Sequence, residues 1–307
     1  MQWQKQQCVV VIIGEHYKVA KLINMPTSPN FVSSNFTLVR TVGTTVSPFT
    51  GKTKTQEYDG VYWTAEVSLP PMRRDVALNW QTFLLELNGP VNHFKFTDPD
   101  ALVNKGTYDA TALISEIRVN NASVTLSFTT AGRITASAST FANAIVGDFI
   151  VVTGAVNEEN NGTHKITTKT SNTVVVTDGD FTTENSTASC KVRTNVKGAT
   201  GLSLKASSTS ATGTIKKGDY LSIQSAANST GTPSQLVMVT EDATFTNATT
   251  DQYSVKTQPK LRSDLASGHY VVFTNPKGVF RISSNEVSWT ADRISNYGIS
   301  FACTEVI

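Results

Sequence analysis

The chain has 307 residues, of which 39% are hydrophobic and only 16% are charged, and its formal net charge is +2. The small net charge and the ordered alternation of apolar residues exclude a disordered chain, and the lack of any basic cluster argues against a dedicated nucleic-acid-binding patch. Threonine, serine, asparagine and glycine are abundant, and they suit many short strands and turns rather than helices.

Residues 1–24 are interpreted as an extension or arm that precedes the first domain. Their apolar run, residues 9–13, predicts a strand that adds to a sheet edge or reaches a neighbouring molecule. The run is short for a signal peptide and no small-residue cleavage pattern follows it, so we expect no export by that route. No stretch approaches the length of a membrane-spanning helix, and we expect no membrane partner.

Residues 30–60 predict two strands joined by a turn. The proline and glycine at residues 47–51 indicate that turn, and Asp59-Gly60 predicts a hairpin turn into the next strand. Three apolar residues alternate weakly with polar ones and are expected to face a core: Phe36, Leu38 and Val42.

Residues 61–97 form the most regular part of the chain. Residues 61–69 alternate strictly between apolar and polar side chains, which predicts a strand with one buried face. Pro70 and Pro71 end this strand, because proline cannot donate a hydrogen bond to a ladder.

Residues 72–87 carry apolar side chains at helical spacing and predict a helix that packs on the preceding strand. A left-handed-tolerant pair and a proline, residues 88–90, end the helix, and residues 91–96 predict another strand. The residues predicted to form the structural core of this domain are Trp63, Val67, Leu69, Pro70, Pro71, Val76, Trp80, Phe83, Leu84, Leu87, Gly89, Phe94 and Phe96.

From about residue 123 the pattern becomes a meander of short strands and polar turns at roughly ten-residue spacing, which indicates a small sandwich or barrel. We therefore predict a mainly-β fold: a β-sandwich or barrel domain with one packed α-helix, and a second small all-β domain inserted into it. The predicted parts are an extension (1–24), the first part of the main domain (25–110), the inserted domain (111–194) and the second part of the main domain (195–307).

One short sequence recurs along the chain. GDFIVV at residues 147–152 is echoed by GDYLSI at residues 218–223 and, more loosely, by GHYVVF at residues 268–273. Matches this short arise easily, so we favour a recurrent turn that leads into a buried strand over a true structural repeat.

The sequence contains no recognisable catalytic or metal-binding motif. The four histidines have no second ligand at metal-site spacing and are expected to be partly exposed strand residues: His16, His93, His164 and His269. The cysteines are three and far apart, which favours small buried hydrophobic residues over a disulfide framework: Cys8, Cys190 and Cys303. No metal and no cofactor is predicted.

Aspartate and tryptophan supply the remaining candidates. Asp148 and Asp219 each follow a glycine and are expected to cap their own turns. A carboxylate pair for glycoside hydrolysis, drawn from these two with Asp98 and Asp100, has no local support. Trp63, Trp80 and Trp289 could stack on sugars, but the first two lie on predicted core faces.

Several motifs in the first part of the chain are specific enough to suggest a family. They are WTAEVSLPPMRR at residues 63–74, Trp80 with FLLELNG at 83–89, and Phe94 followed by FTDP at 96–99. In these motifs the chain resembles the distal tail proteins of tailed bacteriophages, and SPFTG at residues 47–51 is similar to the same family's entry hairpin.

The resemblance covers roughly residues 25–109 and 198–307. It is less specific in the second range, where it rests on KGDY at 217–220, PKLR at 259–262 and PKGVFR at 276–281. The inserted domain resembles another phage-tail building block.

This resemblance implies a structural virion protein without catalytic residues, assembled in the host cytoplasm and located in the tail. Its partners would be other copies of itself, in a ring that the resemblance makes a hexamer, and the tail tube and tail tip or fibre proteins. DNA would only pass through the lumen, and the inserted domain would project towards fibres or the host surface.

Two other function classes remain open at this stage. The chain could be a tail adhesin or carbohydrate-binding protein, in which exposed aromatic residues of the inserted domain contact the glycan. It could also be a hydrolase of a cell-surface polymer, although no catalytic motif supports that hypothesis.

Overall fold

The computed structural model describes residues 20–108, 112–206, 212–224, 232–245, 252–293 and 295–307. The predicted strand at residues 9–13, His16 and Cys8 lie outside these ranges. In the described part of the chain, the main units are a six-stranded sheet that carries a helix and two closed six-stranded barrels. The predicted mainly-β fold with one packed α-helix is confirmed.

Most strands in these ranges are short, as the abundance of turn-forming residues predicts. The first part of the chain contains β1 (Leu22–Ile23), β2 (Ser33–Val39), β3 (Val42–Val46), β4 (Thr53–Glu57), β5 (Tyr62–Ser68), β6 (Met72–Arg73), α1 (Arg74–Glu86), β7 (His93–Phe96) and β8 (Ala112–Ser115). The middle part contains β9 (Asn120–Thr129), β10 (Arg133–Ala136), β11 (Phe149–Thr153), β12 (Gly162–Lys169), β13 (Val174–Thr177) and β14 (Glu184–Arg193).

The last part of the chain supplies the remaining strands of the sheet and of the second barrel. It contains β15 (Gly201–Ala206), β16 (Gly213–Ile215), β17 (Tyr220–Gln224), β18 (Pro233–Val239), β19 (Ala243–Phe245), β20 (Gln252–Gln258), β21 (Tyr270–Val272), β22 (Gly278–Ile282), β23 (Thr290–Ala291), β24 (Asn296–Gly298) and β25 (Ser300–Glu305).

The first unit is a sheet with the strand order β1-β7-β22-β25-β5-β2. Its neighbouring strands are antiparallel except for β1, which is parallel to β7. The predicted alternation is present in β5, where Trp63, Ala65 and Val67 are buried and Glu66 is exposed. The buried residues of α1 belong to the same hydrophobic cluster as Trp63 and Val67, so the helix packs on the buried face of the sheet.

The helix begins two residues later than predicted. Met72 and Arg73 instead form β6, which pairs with β24 and completes a three-stranded sheet with β23 and β24. The side chain of Met72 is buried in this position. The predicted end is present: Asn88 and Gly89 both have positive φ, 52° and 63°, and stop the helix in the left-handed region.

Strands β2 to β5 form one long ribbon instead of two hairpins. β2 pairs with β5, and β3 pairs with β4, so the chain reverses only once, at residues 47–52. The hairpin predicted at Asp59-Gly60 is therefore wrong, since these residues join β4 to β5 without reversing the chain. β4 is exposed along its whole length and has no apolar face for the sheet, whereas β2 brings Phe36 and Leu38 to the core.

The inserted barrel comprises β9 to β14 and closes in the order β10-β13-β12-β11-β14-β9. Its core contains fully buried side chains from all six of these strands, among them Phe128, Ile134, Ile150 and Val175. The second barrel, here called the core barrel, closes in the order β15-β20-β18-β17-β21-β8.

The two barrels have the same connectivity. If the strands of each are numbered one to six along the chain, both close in the order 1-2-5-4-3-6. The inserted barrel lies between the first and second strands of the core barrel, β8 and β15. One copy of this arrangement is thus nested inside another.

This nesting moves one predicted boundary. β8 falls in the range assigned to the inserted domain, 111–194, but it pairs with β15 and β21 of the core barrel. The inserted barrel itself begins at Asn120. The error arose because the partners of β8 lie more than 80 residues further along the chain, where no local pattern indicates them.

The three echoed sequences adopt the same turn before a strand. Gly147, Gly218 and Gly268 have φ values of 98°, 93° and 89°, which L-residues with a side chain rarely adopt. The turn interpretation applies to all three sites. The first two turns also occupy equivalent positions, because each precedes the third strand of its barrel, β11 or β17. For these two sites the alternative that we did not favour, a structural repeat, is therefore correct.

Candidate assembly surface

Most of the predicted core residues gather in one cluster between the sheet, α1 and the core barrel. Val76 lies at its margin, Pro70 and Gly89 are half-buried, and Pro71 is exposed and is not a core residue, because it lies in the bend between β5 and β6. The predicted residues buried in this cluster are Trp63, Val67, Leu69, Trp80, Phe83, Leu84, Leu87, Phe94 and Phe96.

Both buried tryptophans have a partner for the indole N–H. Trp63 Nε1 donates to the carbonyl oxygen of Leu236 in the core barrel at 2.9 Å, and Trp80 Nε1 donates to the carbonyl oxygen of Ser28 at 3.0 Å. Trp63 therefore fixes the sheet against the core barrel. Trp289 is 41% exposed, and neither of the other two is available to stack on a ligand.

A buried carboxylate strengthens the same contact. Glu305 of β25 accepts hydrogen bonds from the backbone N–H of Trp63 at 3.2 Å and of Leu236 at 3.0 Å, and it pairs with Arg262. Because the two N–H donors belong to the sheet and to the core barrel, Glu305 joins these units directly.

Arg118 was not identified from the sequence, yet it is the most densely bonded side chain at the junction of the two barrels. Its guanidinium group is almost completely buried and pairs with Asp148 of the inserted barrel and with Glu116. It also donates to the carbonyl oxygens of Leu204 and Tyr253 in the core barrel. A single arginine between two strands gives no sequence signal for such a role.

The two turn aspartates, Asp148 and Asp219, differ in their hydrogen-bond partners. Each accepts a hydrogen bond on Oδ2 from the residue three positions earlier, Ile145 for Asp148 and Lys216 for Asp219, which confirms that both cap their turns. The Oδ1 atom of Asp148 accepts from Arg118 and from two serine hydroxyl groups, whereas that of Asp219 accepts from the backbone N–H of Lys105 at 2.8 Å.

The described histidines and cysteines do not converge. Among the described residues there is no group of three or more His, Cys, Asp or Glu side chains that could hold a metal ion. His164 is 9% exposed, not partly exposed as predicted, and burial lowers its pKa. Burial also raises the pKa of the Cys190 and Cys303 thiols, which makes them poor nucleophiles.

Aromatic residues of the inserted barrel do not form a sugar-binding platform. The phenylalanines of its described residues are all buried, with exposed fractions of 4% or less: Phe128, Phe141, Phe149 and Phe181. The expectation that exposed aromatic residues of this domain contact a glycan is therefore wrong. Alternation and short length had indicated strands here, but not that every ring would be buried, either inside the barrel or, for Phe149, against the core barrel.

The most exposed element is the ribbon formed by β3, β4 and their turn, residues 42–57, which we call the arm. β3 and β4 pair with each other and with no other described strand. Val42, predicted to face the core, is 50% exposed, and at the tip Phe49 is 96% exposed. At the root of the arm, Glu57 forms ion pairs with Arg40 and Lys260.

A groove of about 560 Å³ lies at the other end of the ribbon, and we call it the outer groove. It crosses β2, β5 and β25 and is bordered by the loop that follows β22. Its lining combines apolar residues with serine side chains and two exposed glutamates, Glu66 and Glu286. The outer groove and the arm are two surface features of the described residues that suit contact with another protein.

No model of a known protein family matches the chain, and no curated protein matches it significantly. None of the helices in the described ranges is both long and apolar enough to cross a membrane.

Proposed function

We propose that the chain is a structural subunit of a larger protein assembly and that it has no catalytic role. The turn aspartates are used to hold backbone and neighbouring side chains, and the described histidines lie apart. What the chain offers to other molecules is surface: an exposed ribbon, a groove and the uncovered edge of β2.

The assembly we propose is the distal tail hub of a tailed bacteriophage, a ring that connects the tail tube to the tail tip or fibres. The more specific motifs of the resemblance, those at residues 47–51, 63–74, 80–89 and 94–99, all contribute to one structural unit, the sheet with α1 and the ribbon. The core barrel and the inserted barrel would follow on the side of that unit where Trp63 meets Leu236.

The observation that carries this proposal is the arm. A two-stranded ribbon that pairs with no other described strand and ends in an exposed phenylalanine has few stabilising contacts among the described residues of the subunit. Such an element would gain stabilising contacts from a neighbouring subunit. In a ring the same heterologous contact repeats until the rotation closes.

The proposal is tested by purifying the full chain and measuring the particle mass by mass photometry over a range of concentrations, with negative-stain electron microscopy of the same sample. Closed rings with a central opening, six copies by the family resemblance, are the expected result. A monomer at every concentration would overturn the proposal.

The proposed partners follow from the same function. The ring would stack on the tail tube and the tip or fibre proteins, and DNA would pass through the lumen without a dedicated binding site, which agrees with the formal net charge of +2. The protein would be found in the virion tail after assembly in the host cytoplasm. Contact of the inserted barrel with fibres or the host surface would not depend on aromatic residues.

A further inference from the structure

The arm combines an apolar tip with positive charge. Phe49 is 96% exposed and Val46 is 57% exposed. Two exposed lysines follow the tip, Lys52 just before β4 and Lys54 within it. Neither lysine takes part in an ion pair among the described residues. The arm therefore presents an aromatic side chain beside two uncompensated cations.

The outer groove has the complementary chemistry. Apolar residues, among them Val287 and Phe301, contribute to its lining, and its two acidic residues are Glu66 and Glu286. Both glutamates are exposed and neither forms an ion pair with another described residue. The volume of about 560 Å³ leaves room for a phenylalanine ring with its flanking backbone.

The geometry prevents the arm from reaching the groove of its own subunit. The groove lies at the start of β2, at residues 33–35, and the arm begins beyond the end of β2, at Val42. The extended chain from Asn35 to Val42 spans roughly 24 Å, and the arm continues the same ribbon as β2. Arm and groove are therefore at opposite ends of one element.

We infer that the arm of one copy binds in the outer groove of the next copy, with Phe49 on the apolar lining and Lys52 and Lys54 facing Glu66 and Glu286. A contact between opposite ends of the same ribbon is heterologous, so it propagates from copy to copy and closes a ring when the rotation allows. The inference rests on the proposed function, because it identifies the contact that holds the ring together.

The test uses two charge-reversal variants of the full chain. K52E/K54E reverses the arm and E66K/E286K reverses the groove, so in each variant every arm meets a groove of like charge. Each variant alone should associate at least tenfold more weakly than the unmodified chain at the same salt concentration, as measured by mass photometry. Circular dichroism should show an unchanged melting temperature, since all four positions are exposed.

Mixing the two variants gives the sharper result. In an alternating ring, the reversed arm of one variant faces the reversed groove of the other, and the unmodified arm faces the unmodified groove. An equimolar mixture should therefore restore rings with an even number of copies, such as the hexamer. K191E/K205E is the matched control, because it makes the same change in charge at two exposed lysines of the barrels and should leave assembly unchanged.

The outcomes separate this inference from the proposed function. If K52E/K54E forms rings of normal size, the inference is overturned but the hub proposal stands. The arm would then bind a protein other than a second copy of this chain. Weak association of both variants with no recovery on mixing would show that arm and groove do not bind each other. If the unmodified chain forms no assembly, both the ring and the contact within it are refuted.

Discussion

The two barrels close in the same order and begin their third strand with the same Gly-Asp-aromatic turn, but they use that turn on different neighbours. In the inserted barrel Phe149 points outward onto the core barrel, where a Cβ atom on Gly201 would lie only 2.1 Å from the phenylalanine ring. In the core barrel Tyr220 points outward onto the sheet, with its ring centroid 5.5 Å from that of Trp63. The same motif thus docks each unit on the next.

The difference lies in the aspartate. Asp148 is part of a buried ionic cluster that spans both barrels, whereas Asp219 accepts hydrogen bonds from the backbone N–H groups of Lys105 and Lys216. Because the two barrels have the same connectivity, each docks on its neighbour through the same face. The side chains around that face determine how stable each junction is. The predictions below test this difference, from the largest expected effect to the smallest.

The largest effect should come from deletions at the nested junction. Removing residues 117–193 leaves all six strands of the core barrel. The ends can be joined by a short Gly-Ser linker, because Asn195 Nδ2 donates to the carbonyl oxygen of Glu116 at 3.1 Å. This variant should remain folded by circular dichroism.

The matched deletion of residues 111–193 also removes β8, which closes the core barrel between β15 and β21. It should yield no soluble protein, because both neighbours of β8 would be left with open edges. Equal behaviour of the two deletions would contradict the assignment of β8 to the core barrel.

The next effect compares the two turn aspartates. Asp148→Asn leaves the buried Arg118 without its charged partner in the inserted barrel, and it should lower the free energy of unfolding by about 3–5 kcal/mol. Asp219→Asn removes an acceptor for backbone N–H groups and should cost only about 1–2 kcal/mol. Urea unfolding of both variants measures the difference, and equal losses would show that the Arg118 cluster adds nothing to the inserted junction.

A smaller effect should follow from trimming the docking aromatics. Phe149→Leu and Tyr220→Leu should each cost about 1–2 kcal/mol, because part of a buried ring is lost at an interface between units. Hydrogen exchange should rise mainly in residues 120–193 for the first variant and in the sheet for the second. Exchange that rises in the same region for both would show that the two aromatics do not serve separate junctions.

The last effect appears only in acid, as a loss of stability of the inserted barrel. Burial by itself would raise the pKa of Glu184, but hydrogen bonds from Thr187, from the backbone of Val156 and Asn157, and from Asn160 outweigh it and lower the pKa to about 2. A carboxyl group with a lower pKa in the folded state stabilises the fold above its unfolded value near 4.5 and loses that contribution as the pH falls towards 2.

The melting temperature of the inserted barrel should therefore fall between pH 4.5 and pH 2, and the Glu184→Gln variant should lose most of this dependence. A variant whose melting temperature still falls as steeply over this range would exclude Glu184 as the group responsible.

Local patterns were enough to predict the strand at residues 61–69, most of α1 and the meander of the inserted barrel. They failed where a residue's partner lies far away in the chain. Asp59-Gly60 has the sequence of a hairpin turn, but β5 pairs with β2 instead of β4 because β2 carries the apolar residues that face the core. Likewise β8 could not be assigned without β21, and Arg118 could not be recognised without Asp148.

The candidate surface was harder to predict than the core. Sequence periodicity identifies side chains that are buried, and the core list was largely correct for that reason. The arm is recognised because its two strands pair with no other described strand. The outer groove is lined by residues from five separate segments of the chain. Neither property is encoded in a local pattern, although the turn at residues 47–51 correctly located the tip of the arm.

The nested order of the strands also has a consequence for synthesis on the ribosome. β8 emerges early but must wait for β15 and then for β21, about 155 residues later in the chain, before its ladder is complete. The inserted barrel is contiguous and can fold as soon as β14 has left the exit tunnel, and its folding brings the flanking ends together. A distant pairing thereby becomes a short-range closure, which lowers the entropic barrier to forming the second barrel.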